Sequence, residues 1–383
     1  MSTYLDYNAS APIDLRVLDV MVDIYRNCIG NADSRTHDYG NNAREVVEKA
    51  RKQVSDLLGI SPAEVFFTSG ATESNNIAIQ GLQDYAQASG KNHIITSSIE
   101  HKAVLETVKA MAGKGFEIDI IDPEPSGRVD SHKILDRIKD NTLLVSLMHV
   151  NNETGITQPV QELGEILAEK KILFHVDATQ SCGKLVEELR SLKYDMLSFS
   201  AHKLGGPQGV GVLVLRKKSY KLPPVKAINY GGQQEHGIRP GTIPVALVCG
   251  CGAACEIAGE EYQENHLRVN RIRQKLIMML DNSGIQYSFN GAPEYCIDST
   301  VNICFAGVSS EALMISTKQY CGLSNGSACT SKSYSPSYVL TAMGVPEEQI
   351  ESSVRISWGP ETDYNEFVDN FTQFLMIAKS LAQ

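Results

Sequence analysis

The stretch Ile172-Leu-Phe-His-Val-Asp177-Ala-Thr-Gln180 decides the fold. A short apolar run is closed by an acid and followed by small polar residues. A helical pattern over residues 160–170 precedes it, and a second apolar run, 196–199, follows. Helix, apolar run and polar turn in that order mark a parallel sheet covered by helices. The alternation spreads outward from about Arg44 to Arg216. Further apolar runs stand at 65–67, 93–96, 117–121, 143–150 and 210–215, with the central one at 172–176. Helical patterns stand at 43–58, 74–88 and 102–111. The first shows its apolar face at Ala43, Val46, Val47, Ala50, Val54, Leu57 and Leu58, and Gly59 ends it. These seven runs predict an α/β fold: a large domain on a mostly parallel seven-stranded sheet.

The rest of the chain reads differently. Residues 231–244 are rich in glycine and proline and read as a loop. A long helical region follows to about residue 280. Strands at 300–305 and 354–358 and helices at 309–321 and 364–381 predict a smaller α+β domain. The expected division is a large domain over 15–260, and a small domain formed by 1–14 and 261–383.

Composition narrows the function. The chain has 383 residues, 42% hydrophobic and 21% charged, which is ordinary for a globular protein with a sizeable core. Its net charge of -10 repels polyphosphate, so no direct nucleic-acid contact is expected. The start, Met1-Ser-Thr-Tyr-Leu-Asp-Tyr-Asn8, lacks the basic and apolar regions of a signal peptide. Residues 243–259 are the most membrane-like, but Glu256 and several glycines interrupt them. A buried helix, no membrane partner and a cytoplasmic protein are the expectation. Nine cysteines, an odd count, argue against a disulfide framework. Cys249, Cys251 and Cys255 cluster in sequence without metal-ligand spacing, so no metal is expected.

In parallel sheets, ligands bind beyond the carboxyl ends of the strands. Five such ends carry chemistry here. The first is Thr68-Ser-Gly-Ala-Thr72-Glu-Ser-Asn75, a small-residue turn into a helix, where free backbone amides suit a phosphate. An ordinary N-cap reads the same way. His101 opens a helix and could stack on a ring or move a proton, or serve only as a terminal structural histidine. Asn151-Asn152-Glu153 could orient a ligand or form a turn. Asp177 closes a buried run and needs a partner, either a cation of the fold or a pyridinium nitrogen. Lys203 follows an apolar run and precedes Gly205-Gly206. A desolvated lysine there becomes nucleophilic enough to form an imine. Together, the five ends offer what a pyridoxal-phosphate (PLP) site needs.

At these residues the chain resembles the cysteine desulfurases of the NifS/IscS type, within the class V aminotransferase-like, fold-type I PLP enzymes. The resemblance runs from Tyr4-Leu-Asp-Tyr-Asn-Ala9 to the strand with Arg355. It rests on Thr68-Ser-Gly-Ala-Thr-Glu73, Glu100-His-Lys102, His149-Val-Asn-Asn-Glu153, His175-Val-Asp-Ala-Thr-Gln180, Ser200-Ala-His-Lys203, Arg239-Pro-Gly-Thr242 and Ser324-Asn-Gly-Ser-Ala-Cys329. The resemblance implies that Lys203 carries PLP as a Schiff base. It implies Ala71, Thr72, Ser200 and His202 at the phosphate, His101 on the ring, Asp177 at the pyridine nitrogen and Gln180 at O3′. Asn152 and Arg355 would hold the carboxylate of L-cysteine. Thr242 would reach the partner's phosphate in a homodimer with shared sites. Cys329 would take the sulfur as a persulfide, release alanine and pass the sulfur to an acceptor protein. The rival on the same fold is selenocysteine lyase or another class V reaction, and a non-catalytic sulfur-transfer scaffold is the rival outside enzymes.

Three departures stand out: Gly30-Asn-Ala-Asp-Ser-Arg35 for a Gly-Asn-Pro-Ser-Ser-type segment, Pro240 for a serine, and the end at Gln383. Relatives with a longer tail use it to dock the iron–sulfur scaffold. The acceptor is therefore expected in iron–sulfur assembly, tRNA thiolation or DNA phosphorothioation, with no choice among them.

Overall fold

The structure is a computed structural model that describes residues 2–325 and 336–382. Its strands are β1 (Thr3–Tyr4), β2 (Val65–Thr68), β3 (His93–Ser97), β4 (Glu117–Ile121), β5 (Thr142–Met148), β6 (Leu173–Asp177), β7 (Met196–Ser200), β8 (Gly211–Leu215), β9 (Tyr287–Phe289), β10 (Thr300–Phe305), β11 (Cys321–Gly322) and β12 (Ser353–Ser357).

Strands β2 to β8 form one seven-stranded sheet in the order β2-β8-β7-β6-β5-β3-β4. The pairs among β7, β6, β5, β3 and β4 are parallel. Only β8 runs against its neighbours, pairing antiparallel with both β2 and β7. The link from β7 to β8 has no room for a crossover helix, so the chain must turn back. Both faces of the sheet are covered. Ile94, Leu144 and Leu213 point into one core, while their neighbours Ile95, Val145 and Val212 point into the other. That two-residue alternation with both faces apolar explains why the strands read as unbroken apolar runs.

Two expected helices have different limits. The helix expected over 74–88 is two, Ala71–Gln80 and Gln83–Ser89. They part at Gly81, where a Cβ would stand 2.6 Å from the carbonyl oxygen of Lys226. Lys226 also donates its amide to the Gly81 carbonyl at 2.8 Å, so a neighbouring segment occupies the break. The helix expected over 309–321 ends at Thr317, and Cys321 instead lies in β11. There it pairs parallel with β1, which ties the chain's start to the C-terminal third.

That third holds a sheet in the order β12-β10-β9. Its core contains Leu5, Phe305, Trp358, Phe371 and Phe374. The helix Val245–Ser283, 39 residues long, joins the two parts. Cys251 and Cys255 on its first half lie in the large-sheet core, and Val269, Ile272 and Leu276 on its second half lie in the other. The changeover of partner, and the expected boundary at residue 260, fall inside this unbroken helix. No helix of the described residues is long and apolar enough to cross a membrane.

Candidate active site at the carboxyl ends of the sheet

The strand ends deliver their residues to one place. β6 ends at Asp177 and β7 at Ser200, the turn after β2 leads into Ala71, and the segments after β3 and β5 supply His101 and Asn152.

The anion cradle is built first. The helix Ala71–Gln80 starts at Gly70 with no side chain capping it. Its first amides therefore lack intrahelical partners. Ser200 Oγ accepts from the Ala71 amide at 2.7 Å. Thr72, Ser200, His202 and Gln208 line the cleft at this helix start. A helix N-terminus with hydroxyl donors around it suits a phosphate in geometry and in field. Gly211 permits the arrangement, since a Cβ there would lie 2.5 Å from the Cα of Gly70.

Asp177 is buried and held in a fixed orientation. Asn75 Nδ2 donates to its Oδ2 at 2.8 Å, and the Thr179 amide donates to its Oδ1 at 3.0 Å. Its neighbour in the strand, His175, sits between Ser146 Oγ at 2.8 Å and Ser198 Oγ at 3.0 Å. Burial pushes that imidazole down to about 4, so it is neutral. His101 caps the helix Lys102–Ala112, its Nδ1 accepting from the Ala103 amide at 3.1 Å. That places the ring proton on Nε2. Burial holds His101 below its ordinary value, with the Asp177 charge opposing. His202 bonds Ser10 Oγ through Nδ1 at 3.2 Å, and burial followed by the Lys203 charge pushes it down to about 4.

Asn8 links the other half of the site. Its carbonyl accepts from Lys203 Nζ at 2.5 Å and from Gln180 Nε2 at 3.0 Å, and Lys203 also donates to the Ala9 carbonyl at 2.7 Å. The Asn8 side chain donates to the Asn152 carbonyl at 3.1 Å. Arg355, buried on β12, donates to the same carbonyl at 3.0 Å and pairs with Asp6 at 2.6 Å. Asn152, Gln180, Lys203 and Arg355 thus join one network through Asn8, while Ala71 with Ser200, and Asp177, His101 and His202, are each held by local partners.

Several of its atoms remain buried without a partner among the described residues: Gln180 Oε1, Asn152 Oδ1 and Arg355 Nε. Buried polar atoms are nearly always satisfied, so such a cluster points to a ligand. An anion cradle, an oriented carboxylate, a free amide oxygen and a lysine suit a phosphate-bearing pyridine aldehyde. The guanidinium suits a carboxylate.

Two expected residues remain, Thr242 and Cys329. Thr242 is exposed and makes no hydrogen bond with the other site residues. Its loop is anchored instead through Glu235, which pairs with buried Arg51 at 2.8 Å, and through Arg239, which pairs with Glu73 at 3.1 Å. Cys329 lies outside the described residues. The segments on either side of it reach the site. The Arg355 amide donates to the Ser324 carbonyl at 2.6 Å, Ser337 Oγ donates to Glu153 Oε2 at 2.5 Å, and Tyr338 donates to the Glu100 carbonyl at 2.8 Å.

The residue-by-residue reading missed Asp6, Asn8, Asn75 and Glu100. All four lie inside or beside the quoted motifs, but their roles are hydrogen bonds across the fold that no spacing reveals. Cys251 and Cys255 are buried, and their mutual hydrogen bond followed by burial pushes the Cys255 thiol up. No metal-holding cluster occurs among the described residues.

Comparison with known proteins agrees with this geometry. The pattern of the family described as aminotransferase class-V matches residues 3–371. A protein named cysteine desulfurase from Pongo abelii is 42% identical over 363 residues, covering 95% of this chain and 79% of that protein. A solved structure titled NifS-like protein superposes with a TM-score of 0.90 at 35% identity, covering 99% of this chain and all of that one. Another, titled SspA in complex with cysteine, gives 0.82 at 34% identity and covers 94% of this chain and 100% of that one. With the family pattern spanning nearly the whole chain and a 42% identical relative covering 95% of it, this protein belongs to the aminotransferase class-V family.

Proposed function

We propose that this protein is a PLP-dependent cysteine desulfurase. It takes the sulfur of L-cysteine onto Cys329 as a persulfide, releases L-alanine and hands the sulfur to an acceptor protein. The observation that carries the reading is the single network joining Lys203, Gln180, Asn152 and Arg355 through Asn8, with unpartnered polar atoms at its centre. The relative named cysteine desulfurase and the solved complex with cysteine support the substrate.

Position supports the following roles. Ala71, Thr72, Ser200 and His202 would hold the phosphate. Asp177, oriented by Asn75, would hold the ring nitrogen protonated, and Gln180 Oε1 would take the ring hydroxyl. His101 would stack on the ring, and Lys203 Nζ would carry the covalent link. When bound, the cofactor supplies the electron sink that loosens the α-proton of cysteine. Once the amine of cysteine has displaced it from the cofactor aldehyde, Lys203 Nζ is a free amine and would remove that proton. Arg355 and the Asn152 amide orient the substrate carboxylate. The Cys329 thiolate attacks the substrate sulfur, so an S–S bond forms as the C–S bond breaks. The carbon fragment takes up protons and leaves as alanine. His101, neutral with its proton on Nε2, serves the proton transfers at sulfur.

We further infer a cytoplasmic homodimer. Leu15, Tyr25, Ile29 and Tyr39 are large apolar side chains left exposed within the first forty residues, which supports a second copy, and exposed Thr242 is available to the partner's phosphate. The acceptor belongs to iron–sulfur assembly, tRNA thiolation or DNA phosphorothioation, and affinity capture with and without cysteine identifies it.

The test uses the purified protein with cysteine. With a dithiol added as the reductant that releases the persulfide sulfur, it should carry cofactor absorbance and yield alanine and sulfide in equal amounts. Cys329→Ser should keep the absorbance and lose sulfide release. Full turnover by that variant would overturn the assignment.

A further inference from the structure

Behind Lys203, a cleft of about 120 Å³ opens between the two cores. Lys203 forms part of its wall, and so does a second lysine, Lys184. Lys184 follows Gln180 by four residues, on the turn whose Gly183 takes a φ of 76°. Gly183 is required there by that angle. Its Cβ position lies 3.1 Å from the Cβ of Ala258, so the turn is pressed against the long helix. The turn therefore fixes where Lys184 stands.

Lys184 is half-buried and has neither a hydrogen bond nor an ion pair from its ammonium to any described residue. Three of the four acids lining the cleft are engaged by other groups. Asp14 and Glu261 both hold Arg16, at 2.7 and 2.5 Å. Asp298 accepts from Asn270 at 2.9 Å. On the active-site side, Asp177 is held by Asn75 and Thr179. Glu361 is exposed at the rim and makes no salt bridge with a described residue. His101 and His202 are neutral, and the Tyr7 hydroxyl is pushed up to about 12 by burial. No carboxylate of the described residues lies within ion-pair distance of the Lys184 ammonium.

We propose that Lys184 is an electrostatic positioning residue, a second cation without a counter-ion that disfavours the charged form of the Lys203 nitrogen. A neighbouring cation is an established way to make a lysine amine reactive at neutral pH. The interaction is mutual. Burial, with the Lys203 charge added to it, pushes Lys184 down to about 8. Below that pH Lys184 is charged and acts on Lys203, and above it the effect fades.

The inference rests on Lys203 carrying the cofactor. The test titrates the absorbance of the bound cofactor against pH in the holoenzyme and in Lys184→Met, Lys184→Arg and Lys203→Ala. A like charge depresses the pKa of the Lys203 nitrogen, so neutralising Lys184 should move the midpoint up by about half a unit or more. Lys184→Arg, which keeps the charge, should restore the original midpoint. An unmoved midpoint in Lys184→Met, with the titration lost in Lys203→Ala, overturns this inference alone. An unaltered titration in Lys203→Ala overturns both, because Lys203 is then not the linked residue. A shift equal in Lys184→Met and Lys184→Arg also overturns it, since that is a packing effect.

Discussion

Asn75 donates from Nδ2 to Asp177 Oδ2 across 2.8 Å, and both side chains are buried. The carboxylate is thereby aimed by a helix that also starts the anion cradle at Ala71. One element thus sets the cradle and the acid together, fixing their separation. Removing the amide leaves Asp177 with the Thr179 amide alone. A hydrogen bond to a charged group contributes about 1.5–3 kcal/mol, so Asn75→Ala should retain PLP about tenfold more weakly or worse. Equilibrium dialysis of the cofactor measures this, and wild-type retention would refute the role.

Arg355 divides its guanidinium between Asp6 and the Asn152 carbonyl and keeps Nε without a partner. Lysine cannot hold two directions and present a third donor in the same plane. Arg355→Lys should raise KM for cysteine about tenfold or more, as loss of a charge-assisted contact implies, with a smaller effect on kcat. Steady-state kinetics separate the two. A change confined to kcat would place Arg355 outside substrate binding.

The sheet was legible because its strands are buried on both faces. Runs such as 143–150 and 196–199 are continuous apolar segments, and the polar turns after them mark the strand ends. The reversed direction of β8 was not legible, because an apolar run carries no sign of which way it points. The same limit applies in the site. Asp177 and Lys203 stand out as a charge closing an apolar run and a charge following one. Asn8 does not: its main contribution is a backbone carbonyl, which every residue has. Asp6 was hidden for another reason, since it meets Arg355 across a separation of 349 residues. The parallel bridge of Asp6 with Ser357 on β12, beside the β1–β11 pairing, brings them together.

Gly211 faces Gly70 across the start of β8. A methyl group placed there would meet Gly70 Cα at 2.5 Å and the Phe199 carbonyl oxygen at 2.7 Å, both backbone atoms that cannot swing aside. Gly211→Ala should therefore displace the cradle turn and destabilise the fold by about 1–3 kcal/mol, the usual cost of overpacking. Denaturant midpoints and phosphate affinity should fall together. Loss of stability with unchanged cofactor retention would separate the cradle from this contact.

Glu100 is fully buried, and burial pushes its carboxyl up to about 8. Its Oε1 accepts from Ser97 Oγ at 2.7 Å and from the Met148 amide at 2.9 Å, while Oε2 has no partner among the described residues. From the ordinary carboxylate value of 4.5 up to about 8, the unfolded chain has lost this proton and the folded one keeps it. The folded state binds more protons there, so this group lowers stability as pH rises through that window. His175 acts in the opposite sense. Its depressed value of about 4 means the unfolded chain takes up a proton first, so stability falls as pH drops from 6.5 towards 4. Glu100→Gln keeps the Oε1 contacts and removes only the first effect. It should stabilise the protein at pH 8.5 by about 1–3 kcal/mol and leave it nearly unchanged at pH 5. Denaturant midpoints at the two pH values decide the matter. An equal offset at both would mean that the variant acts through packing and that Glu100 does not titrate in this range.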